Sequence, residues 1–561
     1  MIRSIIGPAG VACAATLASA CANGGFSSVV EAERRVQRSS IEVTETEAVR
    51  VVRPGGRTDG AGDCRAVVRA AAAGERLTAD ERLLAERCAA GSAEAEHARP
   101  AAASIDWRPF LIRLTNGQEV NAESATVVVP ENRADPASPP LALAVFRLRG
   151  ARAEGRPPLL FLDGAPDTGP SSTTLRYPEL MSFFEALRES RDVVFMDYRG
   201  SGRSGALECL ASRGMPANTF ETREAGLAFF AAQARSCAGA LRRAGRDLTG
   251  YTWRAVAADV ADLRASLGVP KIDLLGFSSG THAALVTLRE HPEIVSRVVL
   301  IGSEGPDHTR KLPLAADRQL AKISDAMRAA EPVGSSRSDF AATVERALRR
   351  ADEAPFVVAV ENVDGDSVRI EVGRYALSYL ATGNMSGPGE FRLLVPLFLT
   401  LDRGDVSVLT QIIQRFAGAP SVLSAATYLM DGASGISPER EHRLREQATV
   451  SIFSDASSFP YPEIEAAWGI ARLDDAYRSP VRSEAPALFI TGEFDGNTPP
   501  EQASQLAAGF PNSSELVVAN AGHAEPIRMT SVAATIAEFL DGENVAQRRL
   551  SAEPIRFPSG F

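Results

Sequence analysis

The chain has 561 residues, of which 45% are apolar and 23% charged, with a formal net charge of −10. These proportions are typical of soluble globular proteins and exclude a disordered or fibrous chain, and the length exceeds one average domain. The acidic balance, without a dense Lys/Arg cluster, excludes a nucleic-acid-binding surface.

The amino terminus has the organisation of an export signal. Residues 1–20 run from Arg3 through an apolar stretch to small residues at 18–20, which is the order of a secretory signal peptide and its cleavage site. Cys21 follows directly, as in a bacterial lipobox, although Leu17 lies one place earlier than is usual. We therefore expect an exported protein, either free or lipid-anchored at Cys21. No later stretch reaches the roughly 18 uninterrupted apolar residues that a membrane-spanning helix needs.

The region after the signal is predicted to be a linker and then a helical segment. Residues 21–60 are polar without an apolar period, and residues 61–105 place Ala and Leu at helical spacing. Four cysteines follow Cys21, and in an oxidising compartment we expect Cys64 to pair with Cys88 and Cys209 with Cys237. The alternative is four buried thiols.

From residue 106 short β-rich runs alternate with helical stretches, which predicts a largely parallel sheet in an α/β fold. The runs lie at 125–129, 141–146, 159–162, 193–196, 272–275 and 298–301.

This alternation stops near residue 306, and residues 307–480 are mostly helical, with one hairpin signal at 358–372. Strands resume at 487–491 and 515–518. We therefore predict a sheet in two parts, 106–306 and 481–545, with a mostly helical inserted cap domain between them and a loose tail at 546–561.

The pentapeptide GFSSG at residues 276–280 matches the nucleophile-elbow motif G-x-S-x-G. By itself such a motif is weak evidence, but here it follows a predicted strand and precedes a predicted helix at 281–289. That context is required because the turn must lift the serine hydroxyl out at the end of the strand. Ser278 is the predicted nucleophile.

A serine needs a base, which is usually a histidine oriented by a carboxylate. Of six histidines, His523 lies just after the last predicted strand of the sheet, and Asp495 follows the strand before it. The order Ser, Asp, His is that of α/β-hydrolases. Glu493 is the competing carboxylate. The oxyanion should be bound by the amides of Ser279 and of Ala165, which lies in the loop after the strand at 159–162.

Further segments are similar to the tripeptidyl aminopeptidase and proline iminopeptidase group of serine exopeptidases, over roughly residues 120–305 and 480–540. The resemblance implies an α/β-hydrolase that removes residues from the amino terminus of short peptides through an acyl-enzyme, without metal or cofactor. The segments are DYRGSGRS at 197–204, DLTGYT at 247–252, LRASLG at 263–268, and the two cysteines Cys209 and Cys237.

The chain departs from this group beside the nucleophile. The group usually has H-G-G-P-G in its oxyanion loop, and here Ala165 and Asp167 replace two of the glycines. Ser279 stands where the group often has Tyr. These differences affect the prediction of the substrate class more than the prediction of the catalytic residues.

The resemblance also implies that an acid of the cap binds the α-amine of the substrate. Asp455 resembles such a residue, and the alternative is a solvated loop aspartate. Two other functions stay open at this point: a carboxylic-ester hydrolase with the same triad, and a non-catalytic binding protein of the cell envelope. The expected partner is a short peptide or small ester, and the oligomeric state is left open.

Overall fold

A computed structural model describes residues 105–558 apart from 168, 211–215, 331–338, 363 and 418–421. The predicted signal peptide, the linker, the helical segment up to residue 104, the anchor residue Cys21 and the pairing of Cys64 with Cys88 lie outside the described residues.

Ten of the described strands form one mixed sheet in the order β1-β2-β3-β5-β4-β7-β8-β12-β13-β14. The pairs β1/β2, β2/β3 and β3/β5 are antiparallel, and the remaining pairs are parallel. The predicted α/β class is confirmed. The ten strands are β1 Arg108–Arg113, β2 Glu119–Pro130, β3 Pro140–Leu148, β4 Leu159–Leu162, β5 Val193–Met196, β7 Ile272–Phe277, β8 Val295–Ile301, β12 Ala487–Gly492, β13 Ser513–Ala519 and β14 Leu550–Ser551.

Helices cover both faces of this sheet. On one face, Trp253 and Val256 of α3 and Leu285 of α4 pack into one apolar core. On the other face, Phe184 of α1 and Ile536 of α14 pack into a second core. Both faces of the sheet are therefore shielded from solvent, which is why the central strands β4 and β5 are apolar at every position. The helices of the two faces are α1 Pro178–Arg188, α3 Trp253–Ser266, α4 Ser279–Glu290, α13 Pro500–Ala507 and α14 Thr530–Leu540, whereas α2 Arg223–Arg243 packs into a separate core with residues of the insertion.

A mostly helical insertion, residues 302–486, separates β8 from β12, and yet these two strands pair side by side. Its first five helices pack around their own apolar core, which includes Leu320, Val344 and Phe391. The predicted hairpin is confirmed as β9 Phe356–Glu361 paired with β10 Ser367–Val372. The helices are α5 Pro313–Ala330, α6 Phe340–Glu353, α7 Arg374–Gly383, α8 Pro388–Asp402, α9 Ser407–Ala417, α10 Ala426–Ser434, α11 Pro438–Ala448 and α12 Ile464–Trp468.

A disulfide between Cys209 and Cys237 confirms the second predicted pairing. It joins β6, Glu208–Leu210, to helix α2. Strand β6 pairs with β11, Val422–Ser424, which belongs to the insertion. The insertion is therefore connected to the first half of the chain by strand pairing close to the disulfide.

The segment predicted as a loose tail adds a strand to the sheet. Leu550 and Ser551 form β14, which pairs in parallel with β13, and the ring of Phe557 stacks on Phe391 of the insertion. A strand of two residues is held by backbone hydrogen bonds and has no side-chain period that the sequence could reveal. Within the described part of the chain, no helix is both long and apolar enough to cross a membrane.

Candidate active site

The predicted elbow forms at the junction of β7 and α4. Ser278 lies between the last residue of β7 and the first of α4, with φ 54° and ψ −126°. A non-glycine residue at positive φ is strained, so the surrounding packing must hold it. A side chain at Gly280 would collide with the backbone of Leu162, and one at Gly276 would approach the Gly280 carbonyl to 2.7 Å. Glycine is required at both positions because strand and helix pass so closely.

The structure brings the three predicted triad residues together. The Ser278 Oγ lies 2.9 Å from Nε2 of His523, and the Nδ1 of that ring lies 2.8 Å from Oδ2 of Asp495. Ser278 is half-buried, whereas Asp495 is 1% exposed. A substrate can therefore reach the hydroxyl while the carboxylate is kept from water.

The Asp495 carboxylate is held by the turn that follows it. Its Oδ1 accepts the amides of Asn497 and Thr498, both at 2.8 Å, and its Oδ2 accepts the Thr498 hydroxyl at 2.7 Å. These bonds fix the carboxylate so that Oδ2 faces His523. The competing carboxylate, Glu493, instead accepts the Asn520 amide at 2.9 Å. In the described residues Glu493 makes no hydrogen bond to His523, so the geometry favours Asp495.

The loop that carries His523 rests on the insertion. The His523 amide donates to the Ser386 carbonyl at 2.8 Å, and the ring packs against Phe277 with centroids 5.0 Å apart. Glu525 accepts the Gly522 amide at 2.8 Å. No sequence pattern points to Ser386, because a backbone carbonyl can come from any residue.

One further acid near this loop was not predicted. Desolvation, and then repulsion by Glu525, raise the pKa of Glu390 to about 7. Glu390 lies in the first turn of α8, within the insertion. A carboxyl with such a pKa changes its charge near neutral pH, close to the imidazole.

The loop after β4 approaches the nucleophile, but the Ala165 amide has a different hydrogen-bond acceptor from the one predicted. Its amide donates to Oγ of Ser279 at 2.8 Å, and its backbone has φ 46°. The sequence predicts instead that this amide donates to the substrate oxygen. Gly164 lies beside the nucleophile, since a Cβ there would be 2.9 Å from Cβ of Ser278. The Ser279 amide lies in the first turn of α4, where amides have no partner within the helix.

Asp167, which stands where the related group has glycine, connects this loop to the insertion. Its Oδ1 accepts the Thr427 hydroxyl at 2.7 Å and the Thr427 amide at 3.4 Å, at the start of α10. Asp167 is 6% exposed. Its side chain therefore serves as an anchor for the loop.

Asp163, at the beginning of the same loop, is a buried carboxyl. Burial raises its pKa to about 7, while hydrogen bonds from the Thr174 hydroxyl at 2.5 Å and the Gly164 amide at 2.8 Å oppose that effect. The nearby charge of Asp197 raises the pKa further.

Asp455 is placed in an ion pair. Its Oδ2 lies 2.9 Å from Nη2 of Arg223, and its Oδ1 accepts the Tyr375 hydroxyl at 2.8 Å. Arg223 also pairs with Glu463 at 2.8 Å. Tyr375 also lines a small pocket whose other walls are mainly aromatic and aliphatic. Among the described residues no contact joins Asp455 to the triad, and its carboxylate shares the Arg223 guanidinium with Glu463.

The sheet order, the elbow and the Ser–His–Asp arrangement together define an α/β-hydrolase. The chain belongs to the α/β hydrolase fold family, whose model matches residues 157–525. Within the described residues, no group of three or more His, Cys, Asp or Glu is arranged to hold a metal ion.

Two curated relatives share part of the sequence. The chain is similar to a tripeptidyl aminopeptidase of Streptomyces coelicolor, with 29% identity over 236 residues, which is 40% of this chain and 42% of that protein. A tripeptidyl aminopeptidase of Streptomyces lividans is also 29% identical over 236 residues, 40% of this chain and 43% of that protein. The chain thus matches less than half the length of these relatives.

Two solved structures match the chain at low identity and low TM-score. A proline iminopeptidase of Mycobacterium smegmatis is 15% identical, with a TM-score of 0.35, covering 74% of this chain and 97% of that one. An esterase of Thermogutta terrifontis is 17% identical, with a TM-score of 0.32, covering 74% and 98%. Likeness at this level does not distinguish a peptidase from an esterase.

Proposed function

We propose that the protein is a serine hydrolase that releases residues from the amino terminus of short peptides through an acyl-enzyme. The observation that carries the proposal is the hydrogen-bonded series from Ser278 through His523 to Asp495, at 2.9 and 2.8 Å. The two tripeptidyl aminopeptidases among its relatives support a peptide substrate over other acyl compounds.

The geometry suits a two-step acyl transfer. Oγ of Ser278 attacks the scissile carbonyl carbon while Nε2 of His523 takes the hydroxyl proton, and the same nitrogen then gives that proton to the leaving amine. A water molecule, deprotonated by His523, next attacks the acyl-enzyme, and His523 returns that proton to Oγ of Ser278 as the acid product leaves. Asp495 accepts a hydrogen bond from the N–H at Nδ1, which keeps Nε2 available as base and stabilises the imidazolium.

Ester hydrolysis by the same triad is the second candidate function. The observation that favours it is the ion pair of Asp455 with Arg223, because a carboxylate already paired at 2.9 Å is a poor receptor for a substrate amine. An exopeptidase would then need another acid. Glu390, whose charge interacts with that of His523, is one candidate for that acid. A non-catalytic binding protein is the third and most remote candidate.

We further propose that the protein is exported. The disulfide between Cys209 and Cys237 supports an oxidising compartment, where such bonds persist. The insertion would form a cap, because Ser386 and Thr427 bind the histidine loop and the oxyanion loop. A cap so placed would exclude long or folded substrates.

The test is a panel of tripeptidyl and aminoacyl amides with free or blocked amino termini, together with short-chain esters, assayed with wild type and Ser278→Ala. We expect cleavage of free-terminus amides, little cleavage of blocked ones, and loss of both in the variant. Cleavage of esters alone would establish the second candidate. Failure of Ser278 to react with a fluorophosphonate probe would leave the third.

A further inference from the structure

The side chain of Ser279 occupies a special position beside the nucleophile. It is 9% exposed, and its Oγ accepts the Ala165 amide at 2.8 Å. That amide is the one expected to bind the oxyanion. The hydroxyl of Ser279 thus accepts the hydrogen bond that the amide was expected to give to the oxyanion.

A hydroxyl offers one O–H donor and two acceptor lone pairs. Ser279 uses a lone pair for the Ala165 amide, and its own O–H has no acceptor among the described residues. A buried donor without a partner is costly, so a native site usually supplies one. An oxygen that becomes negative during the reaction would be such a partner.

We propose that the Ser279 hydroxyl is an oxyanion donor, and that the Ala165 amide acts through it. The amide donates to Oγ, which polarises the O–H, and the O–H donates to the oxygen of the tetrahedral intermediate together with the Ser279 amide. Both donors then come from one residue in the first turn of α4. This inference rests on the proposed serine-hydrolase function and adds a side-chain donor to it.

The loop geometry fits this arrangement. Ala165 has φ 46°, a conformation unfavourable for a residue with a side chain, and its carbonyl accepts the Asp167 amide at 2.8 Å. Asp167 is in turn bonded to Thr427 of the insertion. The loop is thus held so that the amide points at the Ser279 side chain, and turning it toward the substrate would require these contacts to rearrange.

The opposite model has the Ala165 amide leave Ser279 and donate directly to the oxyanion. The two models predict opposite effects of Ser279→Ala. If the hydroxyl is the donor, its removal lowers kcat by about 10- to 100-fold, somewhat less than the usual loss for a single oxyanion donor because the freed amide replaces it in part. KM stays nearly constant, because the oxyanion exists only in the transition state. If the amide is the direct donor, removing its competitor leaves kcat unchanged or raises it.

The experiment measures kcat and KM on a short-chain nitrophenyl ester for wild type, Ser279→Ala, Ser279→Thr and Ser279→Cys. We expect Thr to keep most of the activity because it retains a hydroxyl, and Cys to lose most of it because a thiol is a weak donor. Ser324→Ala is the matched control, since Ser324 is a buried serine of the insertion that also accepts a backbone amide, from Ala341 at 3.3 Å. It should leave kcat unchanged.

Each outcome decides the matter. Wild-type kcat in Ser279→Ala, or equal losses in the Ala and Thr variants, would overturn the inference. If the Ala variant does not fold, as judged by thermal unfolding, the Cys variant decides, because full activity there is equally incompatible with a hydroxyl donor. Failure of the proposed function itself is recognised separately, because wild type would then neither hydrolyse the ester nor react with a fluorophosphonate.

Discussion

Replacement of Asp495 by Asn tests the orientation of the base. The two amides bonded to Oδ1 must keep an acceptor, so the Asn side chain will place its carbonyl oxygen there and its NH2 where Oδ2 now lies, 2.8 Å from Nδ1 of His523. An NH2 group can only donate, so it stabilises the tautomer with Nδ1 unprotonated and the proton on Nε2. A protonated Nε2 cannot accept the proton of Ser278.

The expected cost follows from this tautomer change. Loss of the orienting carboxylate in a Ser–His–Asp triad lowers kcat by up to about 10⁴-fold. We expect a loss of about 10³- to 10⁴-fold, which corresponds to about 4 to 5.5 kcal/mol of transition-state stabilisation at 1.36 kcal/mol per tenfold. The measurement is kcat/KM at pH 7.5 on whichever substrate of the panel wild type cleaves fastest.

Glu493→Gln is the matched control for this variant. It removes a neighbouring carboxylate charge but keeps an oxygen that can accept the Asn520 amide, now 2.9 Å from Oε2. We expect less than about threefold loss of kcat/KM, because His523 is untouched. A loss below tenfold in Asp495→Asn, or a larger loss in Glu493→Gln, would refute the assignment of Asp495.

Further predictions concern stability and its pH dependence. Replacing Cys209 and Cys237 together by Ala should lower the free energy of unfolding by about 3.5 kcal/mol in urea titrations, because the disulfide closes a loop with sequence separation 28. Arg199→Met should cost about 3 kcal/mol in the same assay, since it leaves the fully buried Asp259 without its bidentate partner, although a second arginine remains 2.5 Å away. Asp163→Asn should flatten the pH dependence of stability: the folded pKa is raised to about 7, so wild type binds this proton more tightly when folded and loses stability as the pH rises from about 4 to about 7.

Controls separate these effects from general damage. Arg108→Ala removes an ion pair with Asp106 whose side chains are 79% and 76% exposed, so it should change the free energy of unfolding by less than about 0.5 kcal/mol. A cysteine double variant as stable as wild type would contradict the loop-entropy estimate. Parallel stability curves for wild type and Asp163→Asn between pH 4 and 7 would contradict the raised pKa.

The central strands and the triad could be predicted because their signals are local. Strands β4 and β5 coincide with the predicted runs residue for residue, since four consecutive apolar residues flanked by proline or aspartate are typical of a strand buried on both faces. Loops at the carboxyl ends of parallel strands converge at one edge of the sheet, so a serine, an aspartate and a histidine after three such strands were expected to meet.

The remaining features depend on partners far away in the sequence. The pairing of β6 with β11 involves three residues on each side, too few to show a period. Arg223 and Asp455 are 232 residues apart, and Ala165 and Ser279 are 114 apart. Such contacts are chosen by tertiary packing. The sequence shows that an aspartate is charged and that a backbone amide can donate a hydrogen bond. It does not show which group each of them contacts.

The separation of the triad along the chain also affects its synthesis. Ser278 lies 245 residues before His523. Strand β12 can pair with β8 only after the whole insertion has been synthesised. At typical translation rates of about 5–20 residues per second, the nucleophile leaves the ribosome roughly 12 to 50 seconds before the base. A nascent or truncated chain that lacks the last strands carries the serine without its proton acceptor. Hydrolytic activity is therefore acquired only after the last strands of the sheet have been synthesised.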